Sequence, residues 1–188
     1  MAVISPAAEA HHPVHNHLQL NRVGLWLFFF SEAILFGLLL SARFFIEGIE
    51  REELDQLLGL GITIVLLLSS VTAFTAETAI EHDNRKLANY GLVATILLGI
   101  FFTGGVVYEW SSAHFHRDES FGTLFFTMTG IHASHVVSGI GILILVWIQF
   151  LRGRFSSNDH WPIAGAVMYW HFVDVVWVFF YPALYLVK

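Results

Sequence analysis

Five long apolar runs limit what this chain can fold into. Each holds about 20 residues or more, the length that a helix needs to cross roughly 30 Å of hydrocarbon. The segments between them are short and polar, and they lack the alternation typical of barrel strands. The sequence therefore predicts an all-α membrane protein, a bundle of five transmembrane helices. The predicted spans are residues 24–46, 58–80, 89–110, 124–150 and 165–187.

Composition supports a membrane protein and excludes several classes of site. The chain is 56% hydrophobic and 13% charged, whereas soluble domains carry about 25% charged residues. It has no cysteine, which excludes disulfides, zinc–thiolate sites and iron–sulfur clusters. A net charge of −6 with nine Lys and Arg argues against nucleic-acid binding, which needs a basic surface.

The predicted domain organisation is a polar N-terminal tail, residues 1–23, followed by one transmembrane domain, residues 24–188. The tail has no apolar run, so no secretory signal peptide is expected before the first span. Its histidine-rich stretch, residues 11–17, could bind a metal, but a solvated tail is the simpler interpretation. Lys and Arg in the connecting loops favour a cytoplasmic N-terminus.

Ionisable residues inside a span are costly and are therefore candidates for function. Those well inside the predicted spans are Glu32, His132, His135, His171 and Asp174. Three others lie near span ends, where their side chains are expected to reach the membrane interface. These three are Arg43, Glu77 and Glu109.

Three imidazoles and two carboxylates are ligand types that iron, copper and zinc accept. Their predicted depths argue against a shared metal. At the helical rise, Glu32, His171 and Asp174 lie about 9–14 Å from the inner membrane edge, with His135 at about 22 Å and His132 at about 27 Å. Metal ligands must all lie within about 2.5 Å of one point. The same mismatch argues against a haem held by His135 and His171.

The alternative role for these side chains is hydrogen bonding across the bundle, which fixes helix packing. Glu32 could handle protons or act only as a hydrogen-bond donor. Close helix approach is expected at glycines of the third and fourth helices. These are Gly99, Gly104, Gly105, Gly130, Gly139 and Gly141.

Four stretches resemble subunit III of the haem–copper (cytochrome c) oxidases. The first is FFFSEAILFGLLLSARFF, residues 28–45, and the second runs from HDNRK to YEW within residues 81–110. The third is FFTMTGIHASHVVSGIG, residues 125–141. The fourth, WHFVDVVWVFFYPALY at residues 170–185, is the most specific because HFVDVVW is close to a signature of the family.

The resemblance implies a non-catalytic subunit of a proton-pumping terminal respiratory oxidase. It would bind no haem or copper, pack on the catalytic subunit I beside subunit II and other oxidase subunits, and support proton uptake and stability during turnover. Glu32 matches the family's buried acid. The motif positions His132, His135, His171 and Asp174 imply helix packing or contact with phospholipid, and Arg43 implies contact with a lipid phosphate.

The chain begins where the third helix of seven-helix members would lie, so it resembles the short five-helix form of bacterial plasma membranes. Related subunits accompany nitric oxide reductases and quinol oxidases, and the electron donor is not visible in the sequence. Two alternatives from other classes are a small haem b anchor, motivated by the histidines, and a transporter that uses Glu32 and Asp174 as proton relays.

Overall fold

The computed structural model describes residues 17–47, 54–113, 115, 119–157 and 159–187. These residues form five long helices, which confirms the predicted all-α architecture. All five are long and apolar enough to cross a membrane. They are α1 (His17–Glu47), α2 (Gln56–Glu81), α3 (Arg85–Ser112), α4 (Ser120–Leu151) and α5 (Trp161–Tyr181), and α5 continues as a π-helical turn, Pro182–Leu186.

The helices extend beyond most ends of the predicted spans, because polar residues at a membrane interface lower the hydropathy of a segment without ending its helix. The largest difference is at α1, which begins at His17 rather than at residue 24. The predicted polar tail therefore loses its last seven residues to α1. Residues 1–16, which include most of the histidine-rich stretch, lie outside the described part of the chain.

Polar side chains close the helix ends. The Asp55 carboxylate accepts hydrogen bonds from the backbone N–H groups of Leu57 and Leu58, both at 3.0 Å, and so caps α2. The Arg85 guanidinium donates to the carbonyl oxygens of Phe150 and Phe155, both at 2.9 Å. The carbonyls at a helix C-terminus have no partner within the helix, and Arg85 supplies one at the end of α4.

Helices α2 and α3 form a tight antiparallel hairpin joined by residues 82–84. Gly91 makes their close approach possible: a Cβ built there would lie 2.9 Å from the Thr72 carbonyl oxygen and 2.8 Å from the Ala76 Cβ. One turn further along, the hydroxyls of Thr72 and Thr95 lie 2.8 Å apart and hydrogen-bond across the pair. Small and hydroxyl-bearing residues commonly hold membrane helices together in this way.

Helix α5 packs against α1, α2 and α4 and carries the two largest fully buried side chains, Trp170 and Trp177. Trp170 fits against Gly99 of α3 and Gly139 of α4, two of the glycines expected at close contacts. Indole N–H groups cross between helices at four places. The acceptors are Ser69 Oγ for Trp170, Thr63 Oγ1 for Trp177, Thr129 Oγ1 for Trp110 and Asn89 Oδ1 for Trp147, at 2.9 to 3.0 Å.

Helix α1 is the least buried of the five spans. It contacts α4 and α5 and leaves apolar grooves on both sides. One groove, of about 290 Å³, lies between α1 and α5, and another, of about 530 Å³, lies between α1 and Ile131 of α4. Most of the exposed side chains of α1 are apolar, as expected for a helix that faces lipid or another membrane helix.

Candidate functional site

Glu32 of α1 and His135 of α4 form a hydrogen-bonded pair within the membrane span. Glu32 Oε2 lies 3.1 Å from His135 Nε2, and both side chains are slightly under one-fifth exposed. His135 Nδ1 lies 2.9 Å from the Ile131 carbonyl oxygen. A carbonyl oxygen can only accept, so this contact requires the proton on Nδ1. The bond between Nε2 and Oε2 then needs one further proton, carried by one of those two atoms.

Residues of α1, α4 and α5 surround this pair. The Phe36 ring meets the His135 ring edge-on, with centroids 4.9 Å apart. The Tyr169 hydroxyl donates to the His135 carbonyl oxygen at 3.2 Å and lies 2.7 Å from the Ser138 hydroxyl. The imidazole is therefore held in position by its own backbone turn, by an aromatic ring and by the carboxyl.

The predicted difference in depth between Glu32 and His135 is wrong. The error came from the assumed start of the first helix. Measured from the observed ends, Glu32 is fifteen residues from the start of α1 and His135 is sixteen residues from the end of α4, which places both at about 22–24 Å along their helices. Their side chains can therefore meet, and the sequence analysis missed the contact that defines this site.

His171 of α5 forms a hydrogen bond to α2. Its Nδ1 lies 2.6 Å from the Ser70 hydroxyl of α2. Asp174, one turn further along α5, is 3% exposed, and its carboxyl group faces the same Ser70 hydroxyl. His171 therefore joins α5 to α2, as His135 joins α4 to α1.

His132 is fully buried among aromatic rings, and neither ring nitrogen has a hydrogen-bond partner among the described residues. Its ring stacks on Trp177, with centroids 4.8 Å apart, and meets the edge of Phe102 at 5.8 Å. His132 contributes to packing through its shape and its ring contacts.

Two of the three residues expected to reach the interface are buried instead. The side chain of Arg43 is fully buried, with its guanidinium carbon 5.4 Å from the centre of the Phe121 ring. Glu109 is 4% exposed and accepts a 2.5 Å hydrogen bond from the Tyr185 hydroxyl. Contact between Arg43 and a lipid phosphate does not fit this burial, whereas a role in packing α1 on α4 does. Glu77 is half-buried.

Glu109 and Tyr185 are polar residues whose pairing the sequence analysis missed. They lie 76 positions apart in the chain, and no periodicity links them. The Tyr185 ring also fills the space beside Gly59, where a Cβ would lie 2.5 Å from the ring. Among the described residues, no group of three or more His, Cys, Asp or Glu is placed to hold a metal ion.

Comparisons with known proteins point to one family. The family model described as Cytochrome c oxidase subunit III matches residues 5–188. A cytochrome c oxidase subunit 3 of Spodoptera frugiperda is 43% identical over 124 residues, which cover 65% of this chain and 84% of that protein. Those of Coturnix japonica and Drosophila melanogaster are each 40% identical over 124 residues, again 65% of this chain.

The chain spans about half the length of those last two relatives, 48% and 47%. The match to the family model nevertheless covers nearly the whole chain, and the five bilayer-length helices identify a multi-pass membrane protein. The chain belongs to the cytochrome c oxidase subunit III family.

Proposed function

We propose that this chain is a non-catalytic subunit of a proton-pumping terminal oxidase, which reduces oxygen to water. It packs on the haem–copper catalytic subunit, beside subunit II and other oxidase subunits, and supports proton uptake and stability during turnover. The observation that carries the proposal is the family match over residues 5–188. Haem and copper belong to the partner subunits, and bound phospholipid suits the apolar grooves beside α1.

The proposed location is a bacterial plasma membrane, with the N-terminus in the cytoplasm. The resemblance to five-helix members supports the location, and the distribution of Lys and Arg between the loops supports the orientation. The three relatives named above come from animals. A fusion of a reporter that is active only in the cytoplasm, placed at each end of the chain in turn, tests the orientation.

Glu32 and His135 are the proposed proton-supporting site. Proton exchange needs a donor and an acceptor within hydrogen-bond reach, and the 3.1 Å contact provides both. Because the two side chains are partly exposed at the surface of the isolated chain, the pair can contact a partner subunit or water. The structural alternative is a hydrogen bond that only joins α1 to α4.

Affinity purification of the tagged chain in mild detergent tests the proposed function. A co-purifying multi-span subunit with haem and copper is the expected result, and a copper-carrying partner beside it would favour cytochrome c over quinol as the donor. A nitric oxide reductase as the co-purifying partner would show that the chain is one of the related subunits that accompany those enzymes. A chain that purifies alone with a reducible haem would instead support the haem-anchor alternative. A chain that purifies alone and carries no haem would make the transporter alternative the next hypothesis to test.

We expect Glu32→Ala to change the lifetime of the oxidase more than its initial rate. Oxygen reduction by fresh enzyme should stay close to the parent value, because no metal ligand is lost. If the pair supports proton supply, activity during sustained turnover should decay several-fold faster. Oxygen consumption followed until inactivation measures both quantities in one experiment.

Two further variants separate proton supply from packing. Glu32→Gln keeps the size of the side chain and a hydrogen-bond donor for His135 but carries no titratable proton, so it should shorten the lifetime as Glu32→Ala does. Glu77→Gln changes a half-buried carboxyl of α2 and should leave the lifetime unchanged. A Glu32→Gln enzyme that lasts as long as the parent would assign Glu32 to packing.

A further inference from the structure

His171 places a polar group on an apolar surface at the middle of the membrane. The apolar span that contains it runs from Trp161 to Leu186, so His171 lies ten residues from one end and fifteen from the other, or about 15 and 22 Å at the helical rise. Its Nδ1 is held by the Ser70 hydroxyl. Its Nε2 has no hydrogen-bond partner among the described residues and, unlike the ring nitrogens of His132, is not enclosed by the protein.

The residues around this imidazole are apolar and exposed. On α5, Val175 and Val178 follow His171 at the spacing of one helix face, and on α2, Leu67 and Phe74 flank Ser70 in the same way. All four are exposed in the isolated chain. We call these four residues, together with His171, the His171 face.

Lipid acyl chains cannot provide a hydrogen-bond partner for the exposed Nε2 of His171. Headgroups and water lie about 15 Å from the middle of the hydrocarbon layer, and acyl chains neither donate nor accept hydrogen bonds. Ionisable side chains within a membrane almost always face the interior of a bundle or a water-filled cavity, where they pair with other polar groups. An imidazole nitrogen open to the outside at this depth therefore indicates that another polypeptide covers it.

We propose that the His171 face is the docking surface for a transmembrane helix of the catalytic subunit, which brings a hydrogen-bonding side chain to His171 Nε2. An apolar strip with one polar group at its centre suits helix–helix association in lipid, where packing contacts supply area and a hydrogen bond fixes the register. This inference rests on the proposed function but can fail independently of it, because the catalytic subunit could pack on another face.

Site-specific photo-crosslinking in the intact membrane complex tests the face directly. A photoreactive residue at Val175 or Val178 is expected to cross-link to the catalytic subunit. The same group at Leu97 or Phe101, exposed apolar positions on α3, serves as the control for another face. Cross-links from Val175 and Val178 to lipid alone, or to a second copy of this chain, would overturn the proposal even when the catalytic subunit co-purifies.

Variants of His171 and Ser70 distinguish a role of His171 at the interface with the partner from a role inside the chain. His171→Phe removes both hydrogen bonds of the ring, and we expect retention of the chain on the detergent-washed complex to weaken about threefold to tenfold. Ser70→Ala removes only contacts inside the chain, those of the Ser70 hydroxyl with His171 and Asp174, so its retention should stay near the parent value. His171→Gln restores a hydrogen-bonding group and should recover part of the loss.

An equal loss of retention on the complex for Ser70→Ala and His171→Phe would show that His171 acts within the chain and would contradict the proposal. Thermal unfolding of each purified variant serves as the folding control. Should His171→Phe fail to accumulate, the cross-links from Val175 and Val178 still decide the question, since both are made in a chain that keeps His171.

Discussion

Replacing Trp170 by alanine is expected to destabilise the bundle by about 3–5 kcal/mol, the usual cost of removing a large buried aromatic side chain. The Trp170 side chain is 1% exposed and lies where α3, α4 and α5 meet. Its ring occupies the space left by Gly99 and Gly139, where a Cβ would lie 2.5 and 3.0 Å from ring atoms. The neighbouring backbones hold those two positions, so the cavity can close only in part.

The midpoint of thermal unfolding in detergent, compared between variants of the isolated chain, measures this loss. Trp26→Ala is the matched control, because Trp26 is 63% exposed on α1 and should cost far less. Ser69→Ala isolates the hydrogen bond: it leaves the indole N–H of Trp170 without its acceptor and should cost about 1–2 kcal/mol. A similar decrease in the unfolding midpoint for Trp170→Ala and Trp26→Ala would contradict the packing described for α5.

Gly91→Leu is expected to separate α2 from α3 and to cost about 3 kcal/mol, the upper end for overpacking. The first atom of any side chain at Gly91 would meet the Thr72 carbonyl oxygen at 2.9 Å and the Ala76 Cα at 3.0 Å. Backbone atoms cannot rotate away as a flexible side chain can. The two helices must therefore move apart, which also lengthens the contact between the hydroxyls of Thr72 and Thr95.

The amount of chain that accumulates in the membrane, with its unfolding midpoint after purification, reports this effect. Gly104→Leu is the control on the same helix, because no atom lies within 4 Å of a Cβ built there; the close helix approach expected at this glycine from the sequence is therefore wrong. It adds the same side chain at an open position and should leave stability near the parent value. A Gly104→Leu chain as unstable as Gly91→Leu would mean that α3 rejects leucine for a reason other than its contact with α2.

The sequence was sufficient to predict the five helices because an apolar run of about 20 residues has few other stable structures. It was insufficient for the helix ends. The polar residues that precede Gly24 are helical, but interfacial segments carry no apolar signal. Starting α1 seven residues too late changed the depth of Glu32 by about 10 Å, which was enough to hide its contact with His135.

The same limit applies to single side chains. Arg43 and Glu109 stand near the ends of apolar runs, where a charged residue usually reaches water, yet both are buried. The rings beside them, Phe121 and Tyr185, come from distant helices. Hydropathy measures how apolar a segment is, whereas these contacts depend on which helices are neighbours and on their rotation. The sequence pattern does not specify either quantity.

Glu32 and Arg43 give α1 a fixed position along the membrane normal. An apolar helix bordered by lipid can slide or rotate at little cost, because one leucine replaces another in the same contact. Here the Glu32 carboxyl meets His135 and, three turns later, the Arg43 guanidinium meets Phe121, both on α4. Two attachment points about 16 Å apart permit a single vertical alignment. The depth of α1 in the bilayer therefore depends on these two contacts with α4, and not on the apolar side chains that α1 exposes on its outward side.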